Sequence, residues 1–181
     1  MAGHLIRKIE ENGGCLDTGF LATPYLLDAI CKTGRVDQAY QLLLQTKCPS
    51  WLYEVKQGAT TIWENYIAYK EDGTPVMTSL NHYAFGCVDD WMFRKISGIQ
   101  PAAPGFKEIV IAPELNDAFT NAKRAYMSEY GKIATAWDLK DGKFHIEVDI
   151  PCNTTAVVNL PDGSSYKIGS GPYTFDCDVK Q

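Results

Sequence analysis

Two hydrophobic periods divide this chain. Up to about Gly98 the apolar residues recur every three or four positions; beyond the "QPAAPG" stretch they alternate. In "TPYLLDAICKTG", Leu26, Leu27 and Ile30 share one helical face, Thr23 is a candidate N-cap, Pro24 suits the first helical position and Gly34 is a stop. "RVDQAYQLLLQTK" follows at once with Val36, Ala39, Tyr40, Leu43 and Leu44 on a stripe, so the two segments predict an antiparallel helix pair. "PSWLYEVKQG" predicts a short helix capped by Ser50 and ended by Gly58. "SLNHYAFGCVDDWMFRKISG" predicts a long helix with Ala84, Val88, Trp91, Met92 and Ile96 inward, Arg94 and Lys95 in its last turn and Gly98 at its end.

After Pro101 and Pro104 the segments "KEIVIAP", "KRAYMSEYG", "KIATAWDLK", "KFHIEVDIP", "TTAVVNLP" and "GSGPYTFDCDV" read as strands. Asp141-Gly142 is a hairpin signal and Pro161-Asp162-Gly163 a turn. Short strands with regularly spaced turns predict an antiparallel β-sandwich. The expected organisation is thus α+β, with helices over 1–98 and a sandwich over 99–181; the short, proline-rich junction favours a fixed geometry.

Composition narrows the function classes. Of 181 residues, 45% are hydrophobic and 22% charged, the range of an ordinary globular chain. A net charge of −5 without a basic run argues against nucleic acid. No apolar run approaches membrane-spanning length. "MAGHLIRKIEENGG" is charged and helix-like, unlike a signal peptide, so a cytoplasmic location is the expectation. The six cysteines form no CxxC pair, so zinc is not expected; a Cys152–Cys177 bridge is conceivable because both lie in strand-like sequence. Nothing calls for a metal or a cofactor.

One carboxylate stands apart. Glu10, Glu11, Asp28 and Asp37 fall on polar helix faces, and Asp89 and Asp90 lie mid-helix. Glu64 follows the apolar, threonine-rich link "GATTIWENY", between Trp63 and Asn65 and near Tyr66. A partly desolvated carboxylate there would be a usable base; the plainer alternative is a Glu whose stem packs on Trp63 while its head reaches water. His82, in "SLNHYAFG", can donate to a sugar hydroxyl or serve as a local cap.

With those residues in view, the chain resembles the C-terminal portion of the bacterial α-L-rhamnosidases of the inverting, (α/α)6-barrel kind. "GATTIWE" and "SLNHYAFG" are the specific segments. "DTGFLATPYLLDAI", "PGFKEIVIAPEL", "SEYGKIATAWDL" and "PCNTTAVVNLPDG" support them. The resemblance implies that Glu64 is the general base, that His82 reaches the rhamnose with Trp63 beside it, and that the helices are the last of a twelve-helix barrel. Rhamnose-containing glycosides are then the expected ligands. Ala22 stands where the family often has Gly, Asn65 where Arg is frequent, and the segment bearing the family's general acid has no counterpart here. The chain alone is therefore expected to be inactive.

Two other readings stay open: a non-catalytic sugar-binding or interaction module using the sandwich, and a related (α/α)6 glycosidase with another substrate. Because a few helices cannot close a barrel, the Leu26/Leu27/Ile30 and Tyr40/Leu43/Leu44 stripes are expected to be left open. Self-association as a two-fold dimer is the expected consequence, unless the sandwich covers them.

Overall fold

The computed structural model describes residues 2–70 and 72–179. The chain divides into two compact units, residues 1–89 and 90–181. Helices α1 (Ala2–Glu11), α2 (Thr23–Cys31), α3 (Val36–Leu43) and α4 (Trp51–Lys56) belong to the first, and α5 (Val88–Lys95) straddles the division in sequence.

In the first unit, α2 and α3 pack together, joined by a turn in which Gly34 takes φ +79°, a conformation that suits glycine. Thr23 does not cap α2; it is buried, and its hydroxyl donates to the Thr18 and Gly19 carbonyls. Ser50 does cap α4, accepting the Tyr53 N–H at 3.1 Å. Of the stripes expected to lie open, Leu26, Leu27, Ile30, Tyr40 and Leu43 are buried and Leu44 is half-buried, because α2 and α3 turn these faces inward. The stripes on which the dimer expectation rested are therefore largely covered within the unit. The exposed apolar side chains of this unit include Leu21, Tyr25 and Tyr83 instead.

The long helix expected from residue 79 onward is also shorter than its apolar spacing suggests. Residues 79–82 are not helical, Tyr83–Cys87 is a 3-10 turn, and only Val88–Lys95 is α-helix. The physical reason is non-local. The backbone of residues 79–82 bonds to residues 61–64: Glu64 N–H donates to the Ser79 carbonyl at 3.0 Å and His82 N–H to the Ile62 carbonyl at 2.9 Å. The Thr61 hydroxyl donates to the Leu80 carbonyl in the same seam. Groups held across such a seam are not free for a helix, and tertiary bonding overrides local propensity.

The second unit holds two four-stranded sheets, ordered β1-β2-β6-β7 and β3-β4-β5-β8. The strands are β1 (Ile99–Pro101), β2 (Glu108–Ile111), β3 (Asn121–Ser128), β4 (Gly131–Lys140), β5 (Lys143–Ile150), β6 (Thr155–Asn159), β7 (Ser165–Ile168) and β8 (Gly171–Asp178). Ile133, Trp137, Phe144, Ile146, Val148 and Ile150 alternate inward on one sheet; Ile109, Ile111, Ala156 and Val158 do so on the other. The β4–β5 hairpin turns on Asp141 and Gly142, both at positive φ (51° and 74°), as the dipeptide predicts. One pair departs from the antiparallel expectation: β2 and β6 run parallel, since the chain between them makes three strands of the other sheet. Cys152 and Cys177 are free thiols.

Candidate active site

The seam between residues 61–64 and 79–82 puts the two motif segments side by side. Along it, Glu64 and Ser79 bond twice. The Glu64 amide donates to the Ser79 carbonyl, and the Ser79 N–H donates to Glu64 Oε2 at 2.9 Å. The carboxylate is thus held by a charge-assisted bond from a fixed backbone group, and Oε1 has no hydrogen-bond partner among the described residues. Ser79 is itself held in a turn by its hydroxyl, which donates to the Asn81 carbonyl and accepts the Asn81 N–H, each at 3.2 Å. Asn65 closes a second small turn, its Oδ1 accepting the Ile67 N–H at 3.0 Å.

Glu64 is half-buried and lines a cleft of about 420 Å³ with Asp17, Phe20, Asn65, Tyr66 and Phe85 among its walls. His82 borders it through Phe20: the two rings stack with centroids 4.9 Å apart and 12° between planes. The Tyr83 ring also lies nearly parallel to His82, 5.7 Å away at 9°. Phe85 carries the aromatic wall inward, 5.0 Å from Phe20 and 4.0 Å from Tyr66. Phe85 is anchored in turn by Trp51, whose indole N–H donates to its carbonyl at 2.9 Å.

His82 caps the 3-10 turn rather than a long helix. Its Nδ1 accepts the Ala84 N–H at 3.3 Å. That bond requires Nδ1 to be unprotonated, so a neutral ring carries its proton on Nε2, the nitrogen left to donate to a ligand. Trp63 lies elsewhere. It is 3% exposed, with its ring edge-on to Tyr69 at 5.6 Å. Its backbone N–H donates to Glu54 Oε2 at 3.2 Å. In this chain Trp63 is a core residue of the loop that carries Glu64.

Sequence reasoning missed four residues of this region. Phe20 and Phe85 read as ordinary apolar positions, and Ser79 as part of a helix. Glu54 had a signal: an acid inside the apolar helix "WLYEV". It is 2% exposed, and burial pushes its carboxyl up to about 7, opposed by the Trp63 amide bond. Burial likewise raises the Tyr66 hydroxyl above its usual range, opposed by a hydrogen bond with Thr23 and reinforced by Cys87 and Glu54.

A larger cleft, about 590 Å³, lies in the second unit between residues 101–106 and 126–129. Phe106 and Tyr126 face each other there at 4.9 Å. Its lining holds one carboxylate, Glu129, whereas the Glu64 cleft is lined by two, Asp17 and Glu64, and has His82 stacked on its Phe20 wall, so the acid–base chemistry points to the Glu64 cleft despite the difference in size.

The family model of the bacterial alpha-L-rhamnosidase 6 hairpin glycosidase domain matches residues 1–96, and that of the bacterial alpha-L-rhamnosidase C-terminal domain matches residues 98–174. An alpha-L-rhamnosidase of Formosa agariphila is 43% identical over 97% of this chain and 20% of its own length. One of Streptomyces avermitilis is 41% identical over 88% of this chain and 16% of its own. Among solved structures, the Streptomyces avermitilis alpha-L-rhamnosidase complexed with L-rhamnose superposes with TM-score 0.95 at 36% identity, over 98% of this chain and 19% of that one. The native enzyme from Aspergillus terreus gives 0.93 at 36%, over 97% and 21%. The chain spans about a fifth of the length of these relatives.

Proposed function

Because the chain belongs to the bacterial α-L-rhamnosidase family, we propose that it serves as the C-terminal portion of an enzyme that removes terminal α-L-rhamnose by inverting hydrolysis, with Glu64 as the general base. The observation that carries this reading is the seating of the Glu64 carboxylate on the Ser79 amide at 2.9 Å, in a cleft walled by Phe20. One oxygen is fixed; the other is left for a water. Glu64 takes a proton from that water as its oxygen attacks the anomeric carbon from the face opposite the aglycone. The aglycone oxygen leaves with a proton from a separate acid. Inversion needs those two carboxyls roughly 6.5–9.5 Å apart, to leave room for the water.

The family's acid-bearing segment has no counterpart here, so the chain supplies the base half and is inactive alone. His82, with its proton on Nε2, donates to a sugar hydroxyl. Trp63 contributes through the loop backbone, given its burial. The test is a chimera in which this chain replaces the matching part of the Streptomyces avermitilis enzyme. It should hydrolyse an aryl α-L-rhamnoside, and more slowly other aryl glycosides, while the 181-residue chain should not. Hydrolysis of a different glycoside in preference would favour a related glycosidase of other specificity.

A second reading, sugar binding by the β unit, is favoured by the Phe106–Tyr126 cleft. L-rhamnose binding by the isolated chain that survives Glu64→Gln and His82→Ala but not Tyr126→Ala would support it.

A further inference from the structure

Glu54 is a buried acid that the proposed chemistry does not use. At 2% exposure it cannot meet a substrate, so it is not the missing acid. Its bonds, however, bracket the loop that carries Glu64. Its main-chain carbonyl accepts the Ala59 N–H at 3.1 Å and the Gln57 N–H at 3.0 Å, where α4 ends. Its side chain accepts the Trp63 N–H at 3.2 Å. One residue thus holds both ends of the 59–63 segment. Immediately after that segment comes Glu64, and Ile62 and Glu64 are the positions bonded across the seam to His82 and Ser79.

The second oxygen, Oε1, is buried and has no hydrogen-bond partner among the described residues. A buried polar atom without a partner is costly, and an apolar residue on α4 would avoid it. What such a residue would not do is accept the Trp63 N–H, which is itself sealed from water by the burial of Trp63.

We propose that Glu54 is a positioning residue for Glu64: its dry carboxyl fixes the Trp63 amide, and with it the register in which residues 62–64 pair with residues 79–82. This rests on Glu64 being the base. Glu54 acts at one remove, through the Trp63–Glu64 peptide, and never touches substrate. Its ionisation is set by burial and by the Trp63 bond; Tyr66, and Cys87 against Tyr66, are the titratable groups in electrostatic contact around it. Burial holds Tyr66 neutral, so a titration near neutral pH at the Trp63 amide reports Glu54 itself.

The test uses the 181-residue chain, with two amides as probes: Trp63 for the Glu54 bond and Ser79 for the Glu64 bond. In the wild type the Trp63 amide shift should move with pH about a midpoint near 7. In Glu54→Gln, which keeps an acceptor but cannot ionise, it should be flat, with Ser79 exchange unchanged. In Glu54→Leu, Ser79 amide exchange should quicken by about tenfold or more as the seam loosens. Unchanged Ser79 exchange in Glu54→Leu would overturn the proposal, leaving Glu54 a local partner of α4. If Glu54→Leu does not fold, Glu54→Gln decides: a Trp63 titration that persists in it contradicts the assignment, and its loss supports it. None of these readouts depends on turnover, so a failure of Glu64 as base would show separately, as near-normal rates in Glu64→Gln.

Discussion

Glu64 and Ser79 bond to each other twice, main chain to main chain at 3.0 Å and main chain to carboxylate at 2.9 Å. The carboxylate is therefore positioned by backbone, which has no rotamer freedom, rather than by another side chain. Preorganisation of this kind lets a base act without being reordered at the moment of reaction. Replacing Glu64 by Gln in the chimera should preserve the Ser79 bond and lower turnover by about 10²–10⁴, with little change in the inhibition constant of L-rhamnose. Parallel losses in turnover and sugar affinity would make Glu64 a binding residue instead.

His82 has two structural duties that separate cleanly. It caps the 3-10 turn through Nδ1 and stacks on Phe20. His82→Ala should lose both and cost roughly 1–2 kcal/mol of stability, read from urea unfolding. His82→Asn keeps a cap acceptor and should recover about half of that. In the chimera both variants should weaken sugar affinity, since neither presents Nε2. Equal stability of the two would show that the cap contributes nothing.

Glu54 gives the chain a pH-dependent stability of definite sign. Its carboxyl rises from an ordinary 4.5 to about 7 on folding. Between those values the folded state binds the proton and the unfolded state does not. Stability from this group is therefore full below about 4.5 and falls as pH rises to 7. At about 1.4 kcal/mol per unit, less what residual hydration recovers, the loss is on the order of 2 kcal/mol. Glu54→Gln should remove that slope, so the wild type loses ground to the variant between pH 5 and pH 8. Parallel profiles in urea unfolding would refute it.

In the second unit, Gly98 has φ +80°, and a Cβ there would lie 2.6 Å from the Pro113 backbone nitrogen. Both the backbone conformation and the space exclude a side chain. Gly98→Ala should cost at least about 2 kcal/mol, measured by chemical denaturation; a loss within experimental error would mean the Gly98–Pro113 approach relaxes freely.

Much of this architecture is legible locally. Ser50 before "WLYEV" and Asp141-Gly142 between alternating runs each carry their own chemistry, and the structure uses both as cap and hairpin turn. What is not legible depends on distant partners. Residues 79–87 have helical apolar spacing, but the backbone bonds from Glu64 and to Ile62 hold the first four out of a helix. β1 and β7 are three and four residues long and carry too little alternation to register. The parallel β2–β6 pair requires knowing where the intervening strands go. At the site, Glu64 and His82 stand out by residue type and motif, whereas Glu54 acquires its meaning from burial and from an amide nine positions on.

As general base, Glu64 would activate the water of an inverting hydrolysis. A nucleophile that needs no base should then substitute for water once the carboxylate is removed. In the chimera, Glu64→Ala should be nearly inactive toward an aryl α-L-rhamnoside in water, and azide should restore turnover. The rescued product should be the β-configured rhamnosyl azide, formed in the cavity the carboxylate vacates, and the unmutated chimera should release β-L-rhamnose first, which separates a base from a retaining nucleophile. Near-normal hydrolysis by Glu64→Ala without azide, or α-L-rhamnose as the first product of the unmutated chimera, would contradict general-base action by Glu64.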